Sequence, residues 1–245
     1  MSRTVVVTGA SKGIGRAISL RLLEEGYTVL GIARSFGTFP LRNRRFTHFS
    51  IDLSDLEKLP IHLNKLSGKY PRVDAVVCNV GRGHYGELEQ FSYHDIRSFM
   101  DLNFASHAYM VRAFLPAMKK RKKGDFVFIG SEAGLYGTQR GTLYCASKFA
   151  LRGFAQALRQ ECAASGVRVS IINPGMVRTG FFDRLGVGPG KEKGNFLLPE
   201  EIAEAVVMVL SRRHGVVFDE INMTPLKKAV RFRSQRNVES DTMGD

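Results

Sequence analysis

Carboxylates are scarce in this chain: 23 Asp and Glu stand against 36 Lys and Arg, for a formal charge of +13 and a pI near 9.9. Such an excess points toward polyanions, but its distribution argues against a nucleic-acid partner. Some of the cations cluster, in three groups: Arg42, Arg44 and Arg45; Lys119, Lys120, Arg121, Lys122 and Lys123; and Lys227 through Arg236. No zinc-finger or RNA-binding signature accompanies them. The middle group follows an apolar helical stretch and precedes Gly124, where cations complement a helix C-terminus. The reading is a solvated surface with some attraction for anionic cofactors. Cysteine is scarce too. Cys78, Cys145 and Cys162 lack metal-ligand spacing and lie in apolar or helical segments, which predicts reduced thiols and no metal. There is no run of eighteen apolar residues, so no membrane span is expected. Met-Ser-Arg leads directly into Val5-Val6-Val7, which leaves no room for a signal peptide and predicts a cytoplasmic location.

What is present is an alternation. Its 245 residues, 44% apolar and 24% charged, suit one α/β domain with a sizeable core. Strands are expected at 3–8, 27–33, 46–51, 73–78, 125–130, 167–172 and 216–222. Helices are expected at 13–25, 54–67 (weaker, broken by Pro60), within 92–123, at 143–165 and at 199–211. Strands alternating with helices imply parallel pairing, hence a doubly wound parallel sheet of about seven strands with helices on both faces. Residues 1–233 are read as a single domain, and the polar stretch 234–245 as a disordered tail. Two irregular stretches, 81–90 and the glycine-rich 175–198, follow strands. Open parallel sheets bind ligands beyond the carboxyl ends of their strands, so the longer stretch is a candidate substrate lid.

Tyr144 and Lys148 lie one turn apart in Leu143-Tyr144-Cys145-Ala146-Ser147-Lys148, with Ser131 upstream. On a helix, positions i and i+4 share a face, so phenol and ammonium point into one space. A phenol, with an ordinary pKa near ~10, is a poor acid or base at neutral pH, and a nearby cation favours its phenolate. A hydroxyl from another segment can hold a carbonyl oxygen beside it. Together these are the parts for moving a proton on or off an alcohol oxygen. Thr8-Gly9-Ala10-Ser11-Lys12-Gly13-Ile14-Gly15 joins the first strand to the first helix. Its spacing is G-x-x-x-G-x-G, and bare backbone there lets a pyrophosphate approach the helix N-terminus. At the end of the second strand stands Ile32-Ala33-Arg34-Ser35, with no acidic residue to meet a ribose 2′-hydroxyl. Arg34 and Lys12 can instead converge on a phosphate, with Ser35 donating a hydrogen bond.

The glycine pattern, Ser131, Tyr144-x-x-x-Lys148 and Asn173-Pro174-Gly175 together resemble the short-chain dehydrogenase/reductase family over roughly residues 4–223. The resemblance implies a Rossmann-type fold and hydride transfer between a nicotinamide and a carbonyl or secondary alcohol. By it, Tyr144 is the acid/base, Lys148 lowers its pKa and binds the nicotinamide ribose, and Ser131 binds the substrate oxygen. Asn103 in Asp101-Leu102-Asn103 helps hold a water in a proton relay; as a residue it reads equally as a satisfied buried amide. Pro174, Gly175, Val177 and Thr179 belong to the segment that receives the carboxamide. Asp52 and Leu53 contact adenine, or Asp52 is simply a helix N-terminal aspartate. Asn79 and Gly81 lie beside the cofactor, although Asn79-Val80-Gly81 departs from the family's usual Asn-Ala-Gly. Basic residues at the positions of Lys12 and Arg34 accompany NADP preference, so NADP(H) is expected over NAD(H). The C-terminus departs further: Glu220-Ile221-Asn222-Met223-Thr224-Pro225 stands where many relatives have a Val-Asp-Gly-Gly stretch.

Arg82, His84, Tyr85, Glu132, Tyr136, Phe181, Phe182 and Phe196 are candidate pocket residues for a small carbonyl or alcohol substrate. Within the class, a 3-oxoacyl thioester reductase is an alternative, since a basic surface attracts an acidic carrier. From another class, the alternative is a nucleotide-sensing scaffold that keeps the fold without turnover. Apolar residues on more than one side of the 143–165 helix (Phe149, Leu151, Phe154, Leu158) suit a homodimer or homotetramer.

Overall fold

The computed structural model describes residues 2–37, 43–183, 185 and 187–232. Its first strand, β1 (Thr4–Thr8), shows how the apolar runs are used. Val5, Val6 and Val7 are all fully buried, Val5 and Val7 in one core and Val6 in the other. A strand buried on both faces needs no polar alternation, which is why the run is continuous. The chain continues through α1 (Gly13–Glu24), β2 (Thr28–Ala33), β3 (Phe46–Ser50), α2 (Leu59–Lys69) and β4 (Ala75–Cys78). Then come α3 (Tyr93–Met100), a π-helical turn (Asp101–Ala105), α4 (Ser106–Arg121), β5 (Gly124–Ile129), α5 (Thr142–Cys162) and β6 (Val167–Pro174). It closes with β7 (Val187–Pro189), α6 (Pro199–Ser211), β8 (Glu220–Met223) and β9 (Val230–Phe232).

Seven strands form one sheet in the order β3-β2-β1-β4-β5-β6-β8, with every neighbouring pair parallel. Helices α1 and α6 bury Ile18, Leu22, Ile202 and Val206 against one face; α2, α4 and α5 bury Leu63, Met110, Phe114 and Leu151 against the other. This is the doubly wound parallel sheet that the alternation predicts, and the Rossmann-type fold that the resemblance implies. The strand order reverses between β1 and β4, and a crevice opens where their carboxyl ends diverge.

Three local readings change. The helix expected at 54–67 starts instead at Leu59, with Pro60 in its first turn rather than at a break. Proline costs nothing there, because a first-turn N–H has no intrahelical acceptor. The strand expected at 216–222 shrinks to β8, since the Arg168 guanidinium takes the carbonyl of Val216 along with those of Arg212 and Arg213. Within the glycine-rich 175–198 stretch, β7 pairs antiparallel with β9, Val187 opposite Phe232 and Pro189 opposite Val230. The chain after β8 therefore returns to this stretch and hydrogen-bonds it: the Lys227 N–H donates to Gly194 O at 2.9 Å, and the Gly190 N–H to Ala229 O at 2.9 Å.

The middle basic group closes α4. Lys119, Lys120 and Arg121 occupy its last turn, Lys122 caps it in the left-handed region, and Lys119 pairs with Glu161 at 2.7 Å. All three cysteines are buried and free. Among the described residues no helix is long and apolar enough to cross a membrane. The tail 234–245 and Arg42 lie outside the described residues.

Candidate active site

The crevice is stitched together by Thr8, the last residue of β1. Its hydroxyl accepts the backbone N–H groups of Asn79 (2.9 Å) and Val80 (3.0 Å), and the Asn79 amide donates to the Thr8 carbonyl at 2.9 Å. The glycine turn then wraps over Asn79. Gly9 and Gly13 have φ of +66° and +54°, where a side chain is strained. A Cβ on Gly15 would stand 2.2 Å from the Gly9 carbonyl oxygen and 2.6 Å from Asn79 Nδ2. Glycine at 15 is thus needed for the turn to pack. Lys12 is the N-cap of α1 without a side-chain cap bond, so the first N–H groups of the helix have no side-chain acceptor from it. Ser11 is half-buried in the same turn, and Ile14 packs on the core beneath it. This bare, positively polarised cradle fits a pyrophosphate.

Beside it, Arg34 and Ser35 leave the end of β2 exposed, and neither Arg34 nor Lys12 has an ion-pair partner among the described residues. Asp52 is exposed, and its Oδ1 accepts the N–H (2.9 Å) and the hydroxyl (2.6 Å) of Ser54. Leu53 is buried in the core, so only its backbone faces any ligand. Across the crevice, the Thr179 methyl would lie 3.5 Å from a Cβ on Gly13, which brings the segment after β6 to the glycine turn. In that segment Pro174 closes β6, Gly175 donates its N–H to Met223 O at 2.7 Å, and Val177 is buried, bridging in parallel to Leu197.

Ser131, Tyr144 and Lys148 meet at the end of β5. Ser131 is extended (φ −170°), and its hydroxyl accepts the Ala133 N–H at 3.2 Å, capping a short turn. That turn presses on α5: a Cβ on Gly134 would lie 2.9 Å from the Lys148 carbonyl. Tyr144 and Lys148 occupy the buried face of α5 at 7% and 4% exposure. The Lys148 ammonium donates to the Ile129 carbonyl at 3.1 Å and stands 5.8 Å from the centre of the Tyr144 ring. Burial pushes the Tyr144 phenol up to about 12, against the opposing effect of the Ser131 hydroxyl. Burial also pulls the Lys148 ammonium down to about 8. Desolvation of the buried phenolate thus sets the direction in the protein alone, opposite to the lowering expected from Lys148.

Asn103 sits wholly buried in the π-helical turn. Its carbonyl oxygen accepts the Arg82 N–H at 2.9 Å, its amide donates to the Arg82 carbonyl at 2.9 Å, and a weaker contact reaches Ser147 Oγ at 3.3 Å. The side chain is a satisfied amide that clamps the segment after Gly81. A Cβ on Gly81 would lie 3.5 Å from Asn103 Oδ1 and 3.8 Å from the Lys148 ammonium, so this clamp and the α5 pair adjoin.

The candidate pocket residues separate into groups. Tyr85 and Phe181 pack on the Tyr144 ring with centroids 5.7 and 6.0 Å away, and Phe182 follows Phe181 at 5.3 Å. Glu132 and Tyr136 face Lys228, whose ammonium lies 2.9 Å from Glu132 Oε2 and 2.8 Å from the Tyr136 hydroxyl. His84 packs on Phe91, Arg82 binds Ser98 Oγ, and Phe196 lies under Arg178. Sequence reasoning missed two participants. Lys228 reads as one cation in a basic run. His107 looks like any polar helical residue, yet it is fully buried near Lys148. The Val80 backbone lies beside its ring, but neither ring nitrogen makes a hydrogen bond of acceptable geometry, and burial holds it neutral with a pKa of about 3.

With the geometry in place, similarity to known proteins is informative. Residues 3–187 match the family model described as short chain dehydrogenase. Rat estradiol 17-beta-dehydrogenase 1 is 34% identical over 202 residues, covering 77% of this chain but only 58% of that protein. The chain spans a similar 57% of the mouse 17-beta-hydroxysteroid dehydrogenase type 1. The NADP-dependent 3-hydroxy acid dehydrogenase of Schizosaccharomyces pombe is 28% identical over 239 residues, 91% of this chain and 92% of that one. Among solved structures, an alcohol dehydrogenase from Thermococcus sibiricus complexed with 5-hydroxy-NADP superposes with a TM-score of 0.82 at 28% identity. It covers 94% of this chain and 99% of that one.

Proposed function

The chain belongs to the short-chain dehydrogenase family, and from that premise we propose that it is an NADP(H)-dependent oxidoreductase interconverting a carbonyl and a secondary alcohol, with Tyr144 as the acid/base. The observation that carries this reading is the buried Tyr144 phenol with Ser131 beside it and the Lys148 ammonium 5.8 Å from its ring. The glycine turn, the uncapped start of α1 and the carboxylate-free end of β2 suit a phosphorylated dinucleotide. In this reading Gly9, Ser11, Lys12, Gly13, Ile14 and Gly15 hold the pyrophosphate, and Arg34, Ser35 and Lys12 hold the 2′-phosphate. Asp52 and the Leu53 backbone meet adenine, and Asn79 and Gly81 border its ribose. Pro174, Gly175, Val177 and Thr179 receive the carboxamide. Bound there, the nicotinamide supplies or accepts the hydride.

In the reductive direction Ser131 holds the carbonyl oxygen and Tyr144 donates its proton to it. A phenol at about 12 is protonated at neutral pH, the form that reduction consumes. The Lys148 ammonium stabilises the phenolate left behind and binds the nicotinamide ribose. Oxidation needs that phenolate at the start, so it demands higher pH or a further positive charge beside the ring. The Asn103 amide is spent on Arg82, so its part in a water relay falls to its backbone carbonyl. Tyr85 and Phe181 over the phenol favour a substrate that is apolar next to its carbonyl. Phe149 on the outside of α5 is 42% exposed, in keeping with a homodimer or homotetramer.

The test is NADPH consumption over aldehydes, ketones, keto-thioesters and steroids, with Tyr144→Phe as control. Loss of general acid catalysis should lower turnover by about 10²–10⁴-fold while cofactor affinity is spared. Appreciable turnover by Tyr144→Phe would sink the acid/base assignment. Inactivity of the unaltered chain on every class would favour the non-catalytic scaffold.

A further inference from the structure

A cavity of about 560 Å³ lies between the segment after β6 and the β7/β9 ribbon. Arg178 comes to it from the segment after β6, Lys191 from just beyond β7, and Arg231 from β9. Asp183 is the one carboxylate in its lining among the described residues. None of the three cations has an ion-pair partner among the described residues, whereas their neighbours Lys227 and Lys228 are paired with Glu192 and Glu132. Three cations converge here from separate segments, and two of those segments meet only because β9 pairs with β7.

We propose that this cavity is an anion subsite that takes the phosphate monoester end of the carbonyl substrate. Charge selects the class. Among the described lining residues, three formal positive charges against Asp183 leave two, and a phosphate monoester carries about −1.5 to −2 at neutral pH, whereas a carboxylate leaves half that excess unmet. Two guanidinium forks suit the paired oxygens of a phosphate. The cavity is also larger than a free ion requires and falls in the ordinary size range of small-molecule pockets. Phe182 lines it, packs on Phe181 at 5.3 Å, and Phe181 packs on Tyr144 at 6.0 Å. An apolar run along these rings connects the phosphate end to the phenol. Thr179 lines the cavity as well and faces the glycine turn, so the other source of the same chemistry is a phosphate of the cofactor. The word substrate rests on the oxidoreductase reading; the affinity for phosphate does not.

Calorimetric titration of the full chain, saturated with NADPH at constant ionic strength, with inorganic phosphate separates these. One phosphate should bind per chain. Arg178→Gln combined with Arg231→Gln should weaken it at least about tenfold, the scale of one lost charge-assisted contact. Lys191→Gln, which leaves the Arg178–Phe196 contact in place, gives the same direction if the double variant melts early. In turnover, the variants should raise KM for 4-formylphenyl phosphate and leave KM for benzaldehyde and both kcat values unchanged. No phosphate binding, or binding unchanged in the variants, overturns the subsite. So does a selective loss of NADPH affinity relative to NADH, which would assign the cations to the cofactor. Phosphate binding that responds to the variants, with no turnover of any carbonyl, would uphold the site and sink the oxidoreductase reading instead.

Discussion

Lys148→Met should make this protein more stable and inactive, and the size of the gain follows from the surroundings of the ammonium. Lys148 is 4% exposed and makes one hydrogen bond, to the Ile129 carbonyl. Burial draws it from 10.5 down to about 8. At about 1.4 kcal/mol for each tenfold in acidity, the folded state gives up about 3 kcal/mol at neutral pH by keeping this charge. Methionine keeps the length and apolar body of the stem and leaves the Ile129 carbonyl without that donor, at a cost of about 1 kcal/mol. The net gain of about 2 kcal/mol corresponds to a rise in Tm of about 4–8 °C for a chain of this size. The sign with pH is definite. Below pH 8 the ammonium is charged in both folded and unfolded chains, and the penalty is full. Between about 8 and 10.5 the folded chain sheds its proton first, so the unaltered protein gains stability and the difference closes. Thermal melts of both proteins at pH 7 and pH 10 measure this. A variant that melts at or below the parent at pH 7, with a difference that pH leaves unchanged, would refute the reasoning. Turnover at pH 7 should meanwhile be lost, the usual exchange of stability for function at a reactive site.

Arg34→Ala should lower NADPH affinity about 10–100-fold while leaving NADH nearly unchanged, the worth of one or two charge-assisted hydrogen bonds; dissociation constants by fluorescence titration decide it, and an unchanged NADPH/NADH ratio removes Arg34 from the phosphate site. His107 is held neutral with a pKa of about 3 against an ordinary 6.5. As pH falls below 6.5 the unfolded chain takes up a proton that the folded chain refuses, so stability drains away. His107→Leu should therefore recover about 2 kcal/mol at pH 5 relative to pH 7. Urea unfolding at the two values checks this, and an equal pH response in both proteins would mean that the imidazole reaches a partner.

The glycine turn was legible because its requirements are local. A turn that must pass within 2.2 Å of a Gly15 Cβ position accepts only glycine, and glycines at that spacing after an apolar strand show in a bare string of letters. Tyr144 and Lys148 were legible for the same reason, since a helix puts i and i+4 on one face whatever surrounds it. Pro60 misled because the same residue breaks a helix from inside and begins one from its first turn, and its place depends on where the chain before it is capped. The β7/β9 ribbon left no signal. Each strand has three residues, too few for a period, and β9 lies in a run whose charges read as solvated surface.

By itself, then, the sequence determined the architecture and the local parts of the candidate site. Apolar runs buried on both faces make parallel strands, and short-range spacing sets the glycine turn, the helical pair and the missing carboxylate after β2. Tertiary structure alone decided the electrostatics: burial raises Tyr144, lowers Lys148 and His107, and outweighs the pairing that spacing suggested. It also decided that Lys227 pairs with Glu192 and Lys228 with Glu132 while Arg231 stands with Arg178 and Lys191 around a cavity. The physical reason is one of range. Backbone conformation and side-chain periodicity act over a few residues, whereas desolvation and charge convergence depend on every segment that folding brings near.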